Sequence, residues 1–101
     1  MAHFFNPYHQ RIEDICKTFR VKSLFAFGSA VRGELTAESD IDFLVDIAEK
    51  DPFRYTEYYF GLKNKLEQLF LRPVDLLEIN SLKNPYLKGH IEKTKVLLYG
   101  A

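Results

Sequence analysis

Cysteine is nearly missing from this chain: Cys16 is the only one in 101 residues, and a single thiol cannot close an internal disulfide. Net charge is missing too. Fourteen basic residues meet fourteen acidic ones, which removes the electrostatic footprint of a dedicated nucleic-acid binder, so nucleic acid is not expected as a partner. No apolar run approaches the ~20 residues that span a bilayer, and no membrane partner is expected. Repeats and low-complexity tracts are also lacking. The opening Met-Ala-His-Phe-Phe-Asn-Pro has neither a basic segment nor an apolar core of the kind that directs export, so a cytoplasmic location is expected. The length leaves no room for a second domain. Residues 1–101 are read as one, burying about 65% of the unfolded surface, and 47% hydrophobic with 28% charged residues is an ordinary globular composition.

What the chain does have is punctuation. Asn6-Pro7 reads as a helix cap followed by a first helical position, and Tyr8, Ile12, Ile15, Cys16 and Phe19 then share one helical face up to about Phe19. Cys16 falls within that stripe and is assigned to the core. Val21 to Phe27, rich in β-branched and aromatic residues, reads as a strand that stops at Gly28-Ser29. A short helical turn and a loop follow, then a central strand from Asp40 to Ile47 that is apolar on both faces. Asp51-Pro52 opens a long helix to about Phe70. Its core face carries Tyr55, Tyr58, Tyr59, Leu62, Leu66, Leu69 and Phe70, while Phe53 and Phe60 stand nearly opposite as a candidate partner-binding stripe. Arg72-Pro73 ends that helix. Val74 to Ile79 reads as a third strand, Asn84-Pro85 starts a last helix through about Lys93, and Val96 to Tyr99 is a final short strand or tail. Strands two and three are joined by a helix, so the expected class is α/β (α+β), a single domain with a mixed β-sheet flanked by helices.

The chemistry lies between Gly28 and Asp75. A glycine-rich turn, Phe27-Gly28-Ser29-Ala30-Val31-Arg32-Gly33, can offer free backbone N–H groups to phosphate. Ten residues separate Ser29 from Asp40-Ile41-Asp42, and alternate strand residues project to one side about 6.5 to 7 Å apart. Asp46 shares that parity but lies roughly 13 Å beyond Asp42, out of reach of the same ion. A third carboxylate should come from a neighbouring strand. Asp75, flanked by apolar residues where strands disfavour aspartate, is the candidate, and Glu78 has the wrong parity. Two carboxylates near 4 Å repel by about 4 kcal/mol at an effective dielectric of 20, so such a cluster calls for a cation. All-oxygen ligation with substrate phosphates completing the shell suits Mg²⁺, in a two-ion arrangement. His3, His9 and His90 have no spacing that builds a zinc site.

The set Gly28-Ser29, Asp40-x-Asp42 and Asp75 resembles the minimal nucleotidyltransferase family of the DNA polymerase β-like superfamily over nearly the whole chain. The resemblance implies that superfamily's mixed-sheet fold, with Asp40, Asp42 and Asp75 as catalytic residues holding two Mg²⁺ ions and Asp75 facing the acceptor hydroxyl. It implies that Gly28 and Ser29, with Arg32 and Gly33 in the same turn, bind a nucleoside triphosphate, and that AMP from ATP passes to a hydroxyl. Small members of the family often act as the antitoxin to a helical HEPN toxin. That makes such a toxin the expected partner and acceptor, in a homo- or hetero-oligomer, with Phe53 and Phe60 as a docking stripe.

Arg32 is read as a phosphate contact, with an exposed place on the turn as the alternative. Arg72, Lys63 and Lys65 are cations for which a solvated face is the simpler assignment. Two further readings compete with the enzyme. One is a catalytically silent module of the same fold that neutralises its partner by occupancy, and the other is nucleotidyl transfer to a small molecule or RNA. The intact acidic triad argues against the first, and the lack of an acceptor-gripping domain and of positive charge against the second.

Overall fold

The computed structural model describes residues 3–36 and 38–100. A 3-10 turn (His3–Tyr8) leads into α1 (His9–Thr18), followed by β1 (Val21–Phe27), α2 (Ser29–Arg32), β2 (Ile41–Ile47), α3 (Pro52–Phe70), β3 (Val74–Glu78), a second 3-10 turn (Ile79–Ser81), α4 (Pro85–Thr94) and β4 (Val96–Gly100). The strands form a mixed sheet in the order β3-β2-β1-β4. β1 is antiparallel to both β2 and β4, and β2 runs parallel to β3. A parallel pair needs a long crossover, and α3 supplies it. The mixed sheet and flanking helices expected from the element order are therefore present.

One face of the sheet carries the main core. Ile12 and Cys16 of α1 and Leu62, Leu66 and Phe70 of α3 pack there against Leu24, Ala26, Phe43, Val45 and Leu76. Full burial of side chains this size is worth about 1.5–3 kcal/mol each. The helices approach each other closely at Gly61, where any Cβ would land on the Phe19 ring. Cys16 is wholly buried, and burial pushes its thiol up to about 12, so it is a core residue without reactivity.

The first helix begins later than Asn6-Pro7 suggested. Both residues sit inside the 3-10 turn, Tyr8 occupies the cap position, and no side chain caps α1. The reason is packing. The Phe4 and Phe5 rings lie 5.8 Å from the Phe70 ring, and Phe5 also lies 5.9 Å from Phe43, so the chain is already coiled against the core before Asn6 arrives. Asp51 does occupy the α3 cap position but makes no capping bond; its carboxylate pairs instead with Arg54 at 3.8 Å. At α4 the expected cap is complete, with the Asn84 side chain accepting from the N–H groups of Tyr86 and Leu87 at 3.0 and 3.3 Å.

The opposite face of the sheet is arranged in rows set by register. Phe25, Leu44 and Leu77 stand side by side, and one row on stand Phe27, Asp42 and Asp75. Leu44 is fully buried, and Lys95, at the end of α4, holds its ammonium 4.1 Å from the Phe25 ring centroid. The row with the aspartates stays open, with Asp75 exposed and Asp42 half-buried.

Candidate active site

Asp42 and Asp75 are direct partners across the parallel β2–β3 pair, so their side chains leave the sheet on the same face one strand spacing apart, ~4.8 Å at the backbone. Sequence parity required only that Asp75 face one side; register brings it to Asp42. Asp40 lies one residue ahead of β2 rather than within it, and it is exposed. The three charges are close enough to be felt at Asp42. Its carboxyl is held above the ordinary 3.8, first by partial burial, then by the negative charges of Asp75 and Asp40, with Arg32 opposing.

The glycine turn meets the same carboxylate. Gly28 has φ 77° and ψ −147°, a conformation open almost only to glycine. A Cβ at this position would collide with Oδ2 of Asp42 and come within 3.3 Å of Cγ. Gly28 is thus required twice, by its backbone and by the closeness of Asp42. The N–H groups of Val31 and Arg32 both donate to the Gly28 carbonyl, at 3.1 and 3.2 Å. The N–H groups of Ser29 and Ala30 precede those bonds and have no acceptor within the helix. Gly33 closes the turn with φ 75°, and the turn's donors thus lie beside the aspartates.

Arg32 is exposed and bound to Glu34 through a 2.7 Å Nε–Oε1 contact, while its charge still reaches Asp42. The exposed place on the turn, read as the alternative, is where the structure puts Arg32. Asp46 lies two rows along the sheet from the Asp42 pair, opposite Ser23. Glu78 turns to the helix-covered face, where its carboxylate and burial together raise the Tyr55 hydroxyl's pKa. Reach and parity therefore exclude Asp46 and Glu78, as the strand geometry predicts. Phe53 and Phe60 are 83% and 55% exposed.

The donor set suits a magnesium ion of a particular kind. Among the described residues no group of three or more His, Cys, Asp or Glu side chains, the expected Asp40–Asp42–Asp75 set included, is placed to hold a metal ion. Mg²⁺ seldom uses such a group, since it takes one or two carboxylates and completes its octahedron with water and phosphate oxygens. The Asp42–Asp75 pair, with Asp40 beside it and a carboxyl strained by like charge, fits that requirement.

One contribution was invisible in the sequence. Arg72, expected on a solvated face, donates from Nη1 to the carbonyl oxygens of Thr36 and Ser39 at 2.7 and 3.2 Å, gripping the turn that leads into Asp40. Nothing in the local pattern signals a contact made 33 to 36 residues away.

The nucleotidyltransferase domain family matches this chain over residues 9–98. A relative from Methanocaldococcus jannaschii, named as a protein adenylyltransferase, is 43% identical over 75 residues, which is 74% of each chain. A solved minimal nucleotidyltransferase superposes with a TM-score of 0.76 at 24% identity, over 94% of this chain and 93% of the other. A complex of a tri-AMPylated HEPN toxin of Shewanella oneidensis with an MNT antitoxin matches with a TM-score of 0.56 at 22% identity, over 92% of this chain and 73% of the matched one. At these identities the two structures speak for the fold. The arrangement of Gly28, Asp42 and Asp75 and the sequence matches agree: the chain belongs to the nucleotidyltransferase domain family and has the mixed-sheet, DNA polymerase β-like fold of the minimal nucleotidyltransferases.

Proposed function

We propose that this chain transfers AMP from ATP to a hydroxyl on a helical HEPN-type partner protein in the cytoplasm, the new oxygen–α-phosphorus bond replacing the α–β phosphoanhydride bond with release of pyrophosphate and the hydroxyl's proton, and that it serves as that partner's antitoxin. The observation that carries the proposal is the direct pairing of Asp42 with Asp75 against the Gly28–Ser29 turn. An acidic pair beside backbone donors supports reading them as the two halves of a triphosphate site. The adenylyl specificity and the protein acceptor are supported by the name of the Methanocaldococcus relative and by the AMPylated toxin in the structural neighbour.

In this reading Asp40, Asp42 and Asp75 hold magnesium. When bound, Mg²⁺ neutralises the phosphates and makes the acceptor oxygen a better nucleophile. The chain's own residues do the rest. N–H groups of Ser29 and Ala30 bind phosphate oxygens, Gly28 lets the phosphates approach Asp42 without a side chain between them, and Asp75 on the exposed edge strand faces the incoming hydroxyl. Arg32 adds positive charge at the mouth of the turn, and Gly33 ends α2 so that Arg32 stays at its rim. The exposed Phe53 and Phe60 offer an apolar surface for the partner.

The test is to incubate the chain with ATP, Mg²⁺ and its HEPN partner and weigh the partner. The expected result is a mass increase by whole AMP units, absent with Asp42→Ala. An unmodified partner that is nevertheless neutralised, by wild type and by the Asp40→Ala/Asp42→Ala double variant alike, refutes the enzymatic proposal in favour of occupancy.

A further inference from the structure

We infer that Arg72 is a positioning residue for the acidic site: it ties down Thr36 and Ser39 ahead of Asp40, so that the Asp40 carboxylate is set in place before any ligand arrives. The inference rests on the nucleotidyltransferase reading for its purpose, but its geometry stands alone. Leu71 separates Arg72 from α3, and the reversal that turns the Arg72 side chain toward Thr36 and Ser39 is made at Leu71, which has φ 56° and ψ 41° and is 88% exposed. A non-glycine residue in the left-handed region is strained, and an exposed leucine gains little there from burial. Here Leu71 is the left-handed cap of α3, its N–H donating to Glu67 O at 2.9 Å, and the residue after it bonds two carbonyls.

Those two bonds leave one guanidinium nitrogen for Thr36 O and Ser39 O, while the guanidinium carbon sits 5.7 Å from the Phe4 ring centroid. The turn is also bound internally: the Ser39 N–H donates to Thr36 O at 3.1 Å, and the Thr36 N–H donates to Ser39 Oγ at 3.0 Å. Beside it, the Ile41 N–H donates to Pro73 O at 3.2 Å. Residues 72 and 73 therefore hold both sides of Asp40. The same end of α3 holds the other strand, since Glu67 Oε2 accepts from the Val74 N–H at 3.0 Å, one residue before Asp75. Both bonds come from one nitrogen, as a lysine ammonium could also offer, but lysine lacks the planar guanidinium that lies over the Phe4 ring at the same time.

The experiment compares wild type, Arg72→Lys and Arg72→Met by amide hydrogen exchange and by calorimetric titration with Mn²⁺ and ATP. Loss of a charge-assisted bond from a surface turn should speed exchange at Ser39 and Ile41 by about tenfold in Arg72→Met, with the β1 amides unchanged. Misplacing a ligand by a fraction of an ångström should weaken Mn²⁺–ATP binding by about tenfold, with Arg72→Lys intermediate in both measurements. Unchanged exchange at Ser39 and Ile41, or equal acceleration in β1, overturns the positioning role, the latter because it marks general loosening. Failure of the wild type to bind Mn²⁺–ATP refutes instead the nucleotide reading, and exchange then decides the clamp by itself.

Discussion

Replacing Gly28 by alanine should damage this protein in two separable ways. The backbone at φ 77° and ψ −147° lies where an L-residue costs about 1–3 kcal/mol, offset by about 0.4–1 kcal/mol from a stiffer unfolded chain. The new methyl also lands on Oδ2 of Asp42. That oxygen ends a short side chain, which can yield by leaving its rotamer for about 0.5–1.5 kcal/mol. The sum is about 2 kcal/mol, or a fall in Tm of about 8–16 °C for a domain of this size. Thermal unfolding of wild type, Gly28→Ala, Asp42→Ala and the double variant separates the parts, because removing the Asp42 carboxylate removes the collision and leaves the backbone strain. The double variant should therefore lose about 1 kcal/mol less than the sum of the singles. At 20 °C, where Gly28→Ala remains folded, Mg²⁺–ATP binding should already be lost, since the carboxylate has moved. A Tm within about 2 °C of wild type, or strict additivity, would refute the close approach of turn and carboxylate.

Asp42→Asn should raise Tm in metal-free buffer at pH 7 by about 4 °C, from about 1 kcal/mol of relieved charge burial and, after it, like-charge repulsion in a water-screened site. The sign follows from the carboxyl being raised in the fold. The folded state then disfavours the charged form, so the penalty is full above the folded pKa and vanishes as pH falls below the ordinary 3.8. The variant's advantage should disappear there, and saturating Mg²⁺ should raise the Tm of wild type but not of Asp42→Asn. Asn84→Ala, which removes the acceptor for two N–H groups of α4, should lower stability by about 1 kcal/mol as read by urea unfolding. Phe53→Ser with Phe60→Ser should leave Tm within about 2 °C, both rings being exposed, yet weaken capture of the HEPN partner in a pull-down; unchanged capture places the interface elsewhere.

Local signals in this sequence were reliable wherever one segment settles its own conformation. Asn84-Pro85 caps a helix because side chain and backbone lie within three residues of each other, and Val21–Phe27 ends at Gly28 because only glycine continues in that conformation. Asn6-Pro7 carries the same local signal and does not cap, because Phe4 and Phe5, packed on Phe43 and Phe70, coil the chain first. Distant partners outweigh local preference there. The acidic site divides along the same line. Alternation predicted that Asp75 and Glu78 face opposite sides, but the placing of Asp75 directly opposite Asp42 is a matter of register between strands that α3 separates, and Arg72 belongs with it.

That division bears on how the site tolerates its own charge. Three neighbouring carboxylates, even with the charge of Arg32 opposing them at Asp42, favour a sheet that opens at this corner, where β3 is an edge strand and Asp40 sits outside β2. Restraint comes from groups that bond the backbone one residue away: the Pro73 carbonyl at Ile41, the Glu67 carboxylate at Val74, itself 3.6 Å from the Lys63 ammonium, and the Arg72 guanidinium at Ser39. None of these contacts a ligand in the proposed reaction. Each fixes a backbone atom adjacent to a carboxylate and leaves the carboxylate oxygens free. A site held by its neighbours' backbones can remain repulsive, and therefore hungry for a cation, without loosening the strands that carry it.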